Sequence, residues 1–139
     1  MNTYAEGSHS HSALYFQNDG VIDNCTFENN GVQANGGVIQ CCQNEATLIV
    51  KNSKFVNNHA AHGGAIYAMN ANSFLIVDNC TFENNRASGY ETSRGGAISA
   101  HRGNITHSKF INNYALGKGG AIYFKMSAYY IIPHLKIIM

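Results

Sequence analysis

Short apolar runs alternate with clusters of asparagine and glycine along most of this chain. In one stretch, residues 48–50, 54–56 and 64–67 form three such runs, with polar residues between them. Apolar runs rich in β-branched and aromatic residues, bounded by turn-forming residues, are typical of β-strands. Apolar residues at helical spacing never continue long enough to bury one face of a helix. The pattern therefore predicts an all-β chain of short strands.

The strand pattern repeats every 27 or 28 residues. The tetrad Phe-x-x-Asn marks the period, and its four copies begin at Phe27, Phe55, Phe82 and Phe110 and end at Asn30, Asn58, Asn85 and Asn113. A fixed period of this size is the signature of a solenoid. Leucine-rich repeats share the period, but a chain with five leucines lacks their defining residue. Three strands in each period predict a triangular parallel β-helix of about four to five rungs.

A Gly-Gly doublet precedes an apolar strand in every repeat. The doublets are Gly36-Gly37, Gly63-Gly64, Gly95-Gly96 and Gly119-Gly120, and the isoleucines that follow them are Ile39, Ile66, Ile98 and Ile122. Two conformationally permissive residues fit a sharp corner before a strand. We expect the isoleucines to stack inside the helix, one above another. A degenerate copy at residues 11–16 predicts that the array begins near residue 11.

Asparagine is concentrated at fixed positions relative to the phenylalanines. Three residues before the phenylalanines stand Asn24, Asn52, Asn79 and His107, and an Asn-Asn pair follows each phenylalanine, so that eleven of the eighteen asparagines occupy these positions. Asparagine tolerates unusual backbone dihedrals and bonds nearby backbone groups, which suits corners. Amides stacked about 4.8 Å apart also bond one another. We therefore expect polar ladders at the corners and a structural role for the motif residues.

The paired Phe-x-x-Asn and Gly-Gly-Ala-Ile motifs resemble the repeats of the chlamydial polymorphic outer-membrane proteins, whose repeats also occur in surface proteins of other bacteria and some protists. The resemblance covers residues 11–124 and includes one Gly-Gly-Val-Ile variant. It implies a right-handed parallel β-helix of the pectin-lyase-like kind, used as the adhesive passenger of an autotransporter. It also implies a cell-surface, outer-membrane or extracellular location, and a protein or glycan on a host or neighbouring cell as partner.

Members of that family carry an export signal and end in a membrane-spanning barrel, and this chain departs from both features. Residues 1–7 have no basic start and no apolar stretch suited to secretion. We therefore expect a fragment or truncated copy. Its parts are a disordered or capping segment at residues 1–10, a β-helix array at 11–127 and an incomplete last rung or apolar capping tail at 128–139. The tail is too short for a membrane-spanning helix, which needs about 20 residues.

Charged residues are scarce in this chain. They make up 12% of its residues, about half the usual share, and the net charge is +1. We therefore expect a surface of amides, hydroxyls and tyrosines, and no nucleic acid as partner. The length allows one domain. Nothing in the sequence points to a cofactor, and we expect none.

The four cysteines do not favour a disulfide at the predicted register. Cys25 and Cys80 occupy the same position two rungs apart, about 9 to 10 Å from each other and beyond the roughly 7 Å limit for a bridge. We expect both to be buried thiols. Cys41 and Cys42 are adjacent on one strand and should point to opposite faces, with one of them in the core.

Metal binding is an open alternative. The cysteines could act with His59 or His62, or histidines could converge on one face to bind a metal or sense pH. No compact spacing such as Cys-x-x-Cys is present, and the histidine spacing does not repeat. Solvated loops are therefore the expected place for the histidines.

Polysaccharide cleavage is the main rival function, because many parallel β-helices act on acidic glycans. That chemistry needs clustered carboxylates or a calcium site with a basic partner. Here Asp23 and Asp78 share a position but lie two rungs apart, with Lys51 between them. Alternating charge of this kind is typical of a stabilised sheet surface. We therefore expect a non-enzyme.

Adhesion would use outward-facing residues of the array. Residues 86–92 form the longest insertion between repeats, and they carry Tyr90. Tyr67 and Tyr123 follow the buried isoleucines and are expected to add outward aromatic contact area. The alternative use of such a surface is glycan binding or cleavage, and the sequence alone does not decide between them.

Overall fold

The structure, a computed structural model, describes residues 12–41, 45–125 and 136–138. In this part the chain forms seventeen strands and no helix. The strands are β1 (Leu14–Phe16), β2 (Gly20–Asp23), β3 (Thr26–Glu28), β4 (Ile39–Cys41), β5 (Thr47–Lys51), β6 (Lys54–Val56), β7 (His59–Ala60), β8 (Ile66–Ala68), β9 (Phe74–Asp78), β10 (Thr81–Glu83), β11 (Arg86–Ala87), β12 (Ile98–Ala100), β13 (Gly103–Thr106), β14 (Lys109–Ile111), β15 (Tyr114–Ala115), β16 (Ile122–Phe124) and β17 (Lys136–Ile138).

The strands assemble into four parallel sheets that run along the axis of a solenoid of about four turns. Sheet 1 has the order β1-β4-β8-β12-β16, sheet 2 β2-β5-β9-β13, sheet 3 β3-β6-β10-β14-β17 and sheet 4 β7-β11-β15. Each strand pairs with its equivalent in the next repeat, so the predicted parallel β-helix is confirmed. The degenerate first copy also takes its predicted place, because Leu14 pairs with Ile39.

Sheet 4 is an addition to the predicted three strands per rung. Its strands have two residues each, as in His59–Ala60 and Arg86–Ala87. A run of two residues is too short to show the alternation that identifies a strand in a sequence. The short ladder is visible only because equivalent pairs from successive rungs align, as Arg86 does with His59.

The four motif phenylalanines form one continuous stack in the core. Neighbouring ring centroids are 5.1 Å apart between Phe27 and Phe55, 4.7 Å between Phe55 and Phe82, and 4.8 Å between Phe82 and Phe110. All four side chains are buried. The separations equal the spacing of hydrogen-bonded strands, because sheet 3 holds the rings in exact register. The predicted alignment is confirmed.

The isoleucines after the glycine doublets form a second inward column on sheet 1. Ile39, Ile66, Ile98 and Ile122 pair in register from rung to rung. The first three are fully buried, and Ile122 is partly buried on β16. They share one core cluster with the phenylalanines. The interior is therefore built from columns that each hold one kind of side chain.

The asparagines around the phenylalanines divide into two groups with different tasks. One group sits at the two corners that flank sheet 3, where the backbone has φ between 48° and 57°; its members are Asn24, Asn52, Asn79 and His107 before the strand and Asn29, Asn57, Asn84 and Asn112 after it. Asparagine is the residue other than glycine that best tolerates this left-handed region. The predicted corner role is confirmed for this group.

The second group, the last residue of each Phe-x-x-Asn tetrad, forms a buried amide ladder. Asn58 Nδ2 donates to Asn85 Oδ1 at 3.0 Å and to the Phe27 carbonyl at 3.1 Å. Asn58 Oδ1 accepts from both the backbone N–H and the Nδ2 of Asn30, each at 2.9 Å. Asn85 repeats the pattern with Asn113. Every polar atom of Asn58 is thus bonded, which removes the desolvation penalty of burying an amide.

The two glycines of the Gly63-Gly64 doublet are required for different reasons. Gly63 has φ of 60°, a conformation that side chains rarely adopt. Gly64 has no such φ, but a Cβ at this position would overlap the carbonyl oxygen of Gly96 in the next rung. The first glycine therefore turns the corner, and the second lets successive rungs approach.

Among the described cysteines, two are free thiols and one is disulfide-bonded. Cys25 and Cys80 are both free thiols, as the register predicted. Cys80 is buried as expected, whereas Cys25 is only partly buried. Cys41 lies in the core, as expected for one of the two adjacent cysteines, but it is disulfide-bonded, which the predicted register did not favour. The other cysteine of this bond lies outside the described residues. The predicted separation of Cys25 from Cys80 says nothing about shorter-range pairs, which is why the bond was missed.

The C-terminal strand continues sheet 3. In β17, Ile137 pairs with Phe110 and is 47% exposed. An isoleucine thus takes the position of the motif phenylalanine in the last rung that the structure describes. The predicted segment at residues 1–10 and the boundary at residue 127 lie outside the described residues.

Replacing Phe55 with alanine should destabilise the protein by about 3–5 kcal/mol, because the change removes a buried ring from the middle of the stack. Urea denaturation of Phe55→Ala measures this loss. Phe74→Ala is the matched control, because Phe74 is partly exposed on the outer face of sheet 2 and should matter less. Equal stability of Phe55→Ala and the parent protein would contradict the core position.

Replacing Gly64 with alanine should cost about 1–3 kcal/mol, because the new Cβ forces successive rungs apart. Gly120→Ala is the matched control, since a Cβ there lies 3.8 Å from the Asn113 carbonyl oxygen, in ordinary contact. Its stability should change by less than about 0.5 kcal/mol. Thermal unfolding of the two variants compares them. Equal effects would show that rung spacing does not select the second glycine.

Candidate functional site

The repeat-motif residues are occupied with the scaffold. The phenylalanines and the asparagines Asn30, Asn58 and Asn85 are buried, and their polar atoms bond within the array. Such side chains present no surface to a partner. Candidate contact residues are therefore among the outward-facing side chains, and two groups of aromatic ones lie on or beside sheets 4 and 1.

The first region is the predicted insertion, which folds into a fixed turn. Tyr90 N–H donates to Ser93 Oγ at 2.8 Å, and Ser93 N–H donates to the Tyr90 carbonyl at 2.9 Å. The Ser93 carbonyl accepts in turn from the backbone N–H groups of Gly117 and Lys118. Ser93 is fully buried, whereas Tyr90 is 64% exposed. The turn therefore presents an aromatic ring to solvent from a rigid base.

Further exposed apolar side chains lie on the rung beside this turn. Tyr114 is 47% exposed and Leu116 is 46% exposed, and the Arg86 guanidinium lies 5.4 Å from the centre of the Tyr114 ring. We call Tyr90, Tyr114 and Leu116 the loop surface. Tyr90 also lines a cleft of about 300 Å³, whose other lining residues are Val32, Gln33, His59, Ala60, Ala61, Ser88 and Gly89. Aromatic side chains next to a shallow cleft are typical of protein interaction surfaces.

The second region lies on the outer face of sheet 1. Tyr67, Ser99 and Tyr123 are consecutive in register, so the small Ser99 stands between two tyrosines. The Arg94 guanidinium lies 5.0 Å from the centre of the Tyr123 ring. A pocket of about 300 Å³ opens here, which we call the tyrosine pocket; it is lined by His62, Tyr67, Met69, Thr92, Arg94 and Ser99. Tyr67 and Tyr123 are both partly buried, so they are less open than the sequence predicted.

The electrostatics of the tyrosine pocket are set by Arg94. His62 Nδ1 accepts the backbone N–H of Arg94 at 3.2 Å. Burial, together with the nearby Arg94 charge, lowers the pKa of His62, so this ring is neutral at pH 7. Burial also raises the pKa of Tyr67. Of the six lining residues, Arg94 therefore carries the charge, and the pocket is positive.

Ser99 and Arg94 were not identified as residues of interest from the sequence. Ser99 is buried, and its Oγ has no hydrogen-bond partner in the part of the chain that the structure describes. The signal was present, because Gly-Gly-Ala-Ile is followed by tyrosine in two repeats and by serine in the third. What the sequence does not show is that this position pairs in register with a tyrosine on either side.

The acidic residues near the sheet 2 corner bond along the array. Asp23 accepts from Asn52 Nδ2 at 2.8 Å and lies 3.5 Å from Lys51 Nζ. The hydrogen bond from Asn52 lowers the pKa of Asp23, and the Lys51 charge contributes. The predicted alternation of charge is confirmed. Because both partners are exposed, the ion pair itself adds little stability.

Asp78 has a similar role two rungs away. It accepts from Thr106 Oγ1 at 2.6 Å and lies 2.8 Å from His107 Nδ1. The hydrogen bonds from Thr106 and then from His107 lower the pKa of Asp78. Each of these carboxylates is therefore held ionised by its own neighbours, and the two do not form an acid–base pair.

The described residues include no group of three or more His, Cys, Asp and Glu side chains that could hold a metal ion. Burial raises the pKa of Cys80 to about 11, so this thiol is protonated and unreactive at neutral pH. A metal site that uses Cys80 with His59 or His62 finds no support in this geometry. The same part of the chain has no helix with the length and apolar character needed to cross a bilayer.

Comparison with known proteins defines the class. The family described as "right handed beta helix region" matches residues 2–133, nearly the whole chain. The chain therefore belongs to the right-handed β-helix family, and the handedness expected for the solenoid is confirmed. No curated protein and no solved structure matches the chain.

Histidine 101 is a buried titratable group beside the tyrosine pocket strand. His101 follows β12 and is 7% exposed, and its Nδ1 has no hydrogen-bond partner among the described residues. Burial lowers the pKa of His101, and the charges of Lys125 and Arg102 lower it further. Protonation would add a third positive charge at a desolvated site.

The protein should lose stability as the pH falls from about 8 to about 5.5, because the unfolded state binds protons at a histidine pKa of about 6.5 and the folded state resists them at His101. His101→Gln keeps a neutral polar side chain and should show a shallower dependence. Thermal unfolding across this pH range measures the effect. Identical pH dependence in the variant and the parent would contradict the role of His101.

Proposed function

We propose that this chain is a non-enzymatic β-helix repeat module that works as an adhesin at a cell surface or in secreted form. The resemblance of its repeats to those of the chlamydial polymorphic outer-membrane proteins supports this proposal, because the passenger segment of that family is adhesive. The proposed partner is a protein or glycan on a host or neighbouring cell.

The loop surface is the observation that carries the proposal. It places three large side chains, each 46% to 64% exposed, on one side of a rigid solenoid. The turn that carries Tyr90 is held by its bonds with Ser93. A preorganised turn loses little entropy on binding, and exposed tyrosines are favoured as binding hot spots. Residues 88–92 of the insertion lie outside the strands, and they carry the exposed Tyr90, which favours a role in contact.

The chemistry of the acidic residues supports a non-enzymatic role. Glycan-cleaving sites need a pair of carboxylates about 5–10 Å apart or a bound metal ion next to a base. Asp23 and Asp78 lie on alternate rungs, and each is engaged with its own neighbours. Hydrolysis would need at least one of them to act with a second free acid.

Replacing Tyr90 with alanine should weaken binding to target cells about tenfold or more, because the change removes the most exposed ring of the loop surface. Fluorescently labelled protein, titrated onto cultured epithelial cells and onto a panel of bacteria, gives the binding curve by flow cytometry. The fold should be unaffected, since the Tyr90 side chain is mostly exposed.

Tyr15→Ala is the matched control for this experiment. Tyr15 is 44% exposed but lies on sheet 1, away from the insertion. Its loss should leave binding unchanged. Cell binding no stronger than that of an unrelated protein of similar size, or equal binding by Tyr90→Ala and the parent, would overturn the proposal.

Incubation with acidic and neutral polysaccharides tests the non-enzymatic part separately. We expect no release of unsaturated or reducing ends. Their release, at a rate proportional to protein concentration and lost in Asp78→Asn, would assign the chain to glycan cleavage instead.

A further inference from the structure

A column of aliphatic side chains runs along the outer face of sheet 2. Val21, Ile49 and Ile76 pair in register on the first three rungs, and Asn104 continues the column on the fourth. Val21 is 60% exposed, and both isoleucines are partly exposed although a residue of the same column lies on either side of each. A sheet face that meets only water is normally polar. The column is therefore suited to contact with another apolar surface.

On one side of the aliphatic column, two opposite charges stand at the two ends of the sheet. Asp19 Oδ1 accepts the backbone N–H of Thr47 at 2.7 Å on the first rung. The Arg102 guanidinium lies 5.9 Å from the centre of the Phe74 ring on the fourth. Because Thr47 pairs with Phe74, the column reads Asp19, Thr47, Phe74 and Arg102. It is acidic at the first rung and basic at the fourth.

On the other side of the aliphatic column the charges alternate. Asp23, Lys51 and Asp78 pair in register, and Thr106 follows on the fourth rung. The side chains of Asp23, Lys51 and Asp78 are each 44% to 48% exposed. Their charges therefore remain accessible to a second molecule that lies against the sheet.

Charge is also divided along the axis of the whole solenoid. Residues 1–85 contain seven acidic and two basic side chains, whereas residues 86–139 contain one acidic and seven basic side chains. Because successive repeats stack along the axis, the early rungs are negative and the late rungs are positive. Two such molecules attract each other when they lie side by side in opposite directions.

We propose that two copies of this chain dimerise through the outer faces of sheet 2, with their solenoid axes antiparallel. A two-fold axis along the strand direction, between the second and third rungs, places the first rung of one copy on the fourth of the other and the second on the third. Each column then faces itself in reverse order. The facing pairs are Asp19 with Arg102, Lys51 with Asp78 and Ile49 with Ile76, and the symmetry makes each of them occur twice.

The charges favour this arrangement over the other two-fold arrangements of the same faces. A parallel dimer would place Asp19 of one copy against Asp23 of the other, and like charges repel. An antiparallel dimer shifted by one rung would place Lys51 against Lys51 and Asp23 against Asp78. Complementary charges of this kind determine register and orientation more than they add affinity.

The size of the face predicts a weak dimer. Four strands of about five residues give a flat area of roughly 300 Å² on each copy, which is less than the roughly 800 Å² per partner of a standard stable interface. We therefore expect a dissociation constant between about 10 µM and about 1 mM. Sedimentation equilibrium of the parent protein from about 5 µM to about 2 mM should show the mass rising toward that of two chains. One-chain mass at every concentration would overturn the proposal.

Ile49→Lys should raise the dissociation constant about tenfold or more, because the two-fold symmetry places two lysines in the apolar centre of the interface. Val56→Lys is the matched control, since Val56 is also a partly exposed aliphatic residue of the second rung but lies on sheet 3. It should dimerise like the parent. Equal weakening by the two variants would exclude sheet 2 as the interface.

Mixing two charge variants tests the antiparallel register. Asp19→Lys alone and Arg102→Glu alone should each raise the dissociation constant about fivefold or more, because each replaces two opposite-charge pairs with two like-charge pairs. An equimolar mixture should dimerise like the parent, since the mixed dimer regains both pairs. In one chain these residues lie three rungs, about 14 Å, apart, so the recovery cannot come from contact within a chain. A mixture as weak as its components would contradict this register.

Assemblies that grow beyond two chains, and that Ile49→Lys leaves intact, would point to end-to-end stacking of solenoids and would also overturn the proposal. The dimer is independent of the loop surface, which lies at sheet 4, whereas sheet 2 follows sheet 1 and precedes sheet 3 in each rung. Tyr90→Ala should therefore dimerise like the parent. A dimer that binds no cells would overturn the adhesive role alone, and a monomer that binds cells would overturn the dimer alone.

Discussion

Parallel pairing in register is the constraint on which the whole molecule depends. Every strand of one rung pairs with the equivalent strand of the next, so each residue lies about 4.8 Å from the residue at the same position of the neighbouring repeat. A side chain must therefore pack against the equivalent side chains above and below it. Flat aromatic rings meet this condition because they stack at that distance, as Phe55 does with Phe82 at 4.7 Å. Isoleucine meets it on sheet 1 by filling the space beside them.

The same constraint explains how a polar ladder can be buried. The amide of Asn58 donates upward to Asn85 and accepts from Asn30 below, which is possible because an amide is both donor and acceptor. Carboxylates stacked in this position would repel one another. Lysines would also repel one another, and they have no acceptor atom for a donor in the rung below. The Phe-x-x-Asn tetrad thus combines the two side chains that can repeat indefinitely on one axis.

Residues of a type that recurs at the same position in every repeat could be predicted from the sequence. Residues whose role depends on different residue types in the adjacent rungs could not. Phe27, Asn30 and Gly36 recur at a fixed spacing, so alignment of the repeats identified the core stack, the ladder and the corners. Sheet 4 was not predicted, because its two-residue strands are too short to show an alternation of apolar and polar residues. The position of Ser99 between Tyr67 and Tyr123 was not predicted, because these residues come from different repeats and only the strand register brings them together.

Function in such a scaffold is expected where a column of equivalent side chains is interrupted. A residue that repeats in every rung is explained by stacking, and it therefore gives no reason to infer contact with a partner. The insertion that carries Tyr90 and the serine that interrupts the tyrosines are departures that stacking does not require. Ser99 even leaves a buried hydroxyl without a partner in the described part of the chain, at a cost that an apolar residue would avoid.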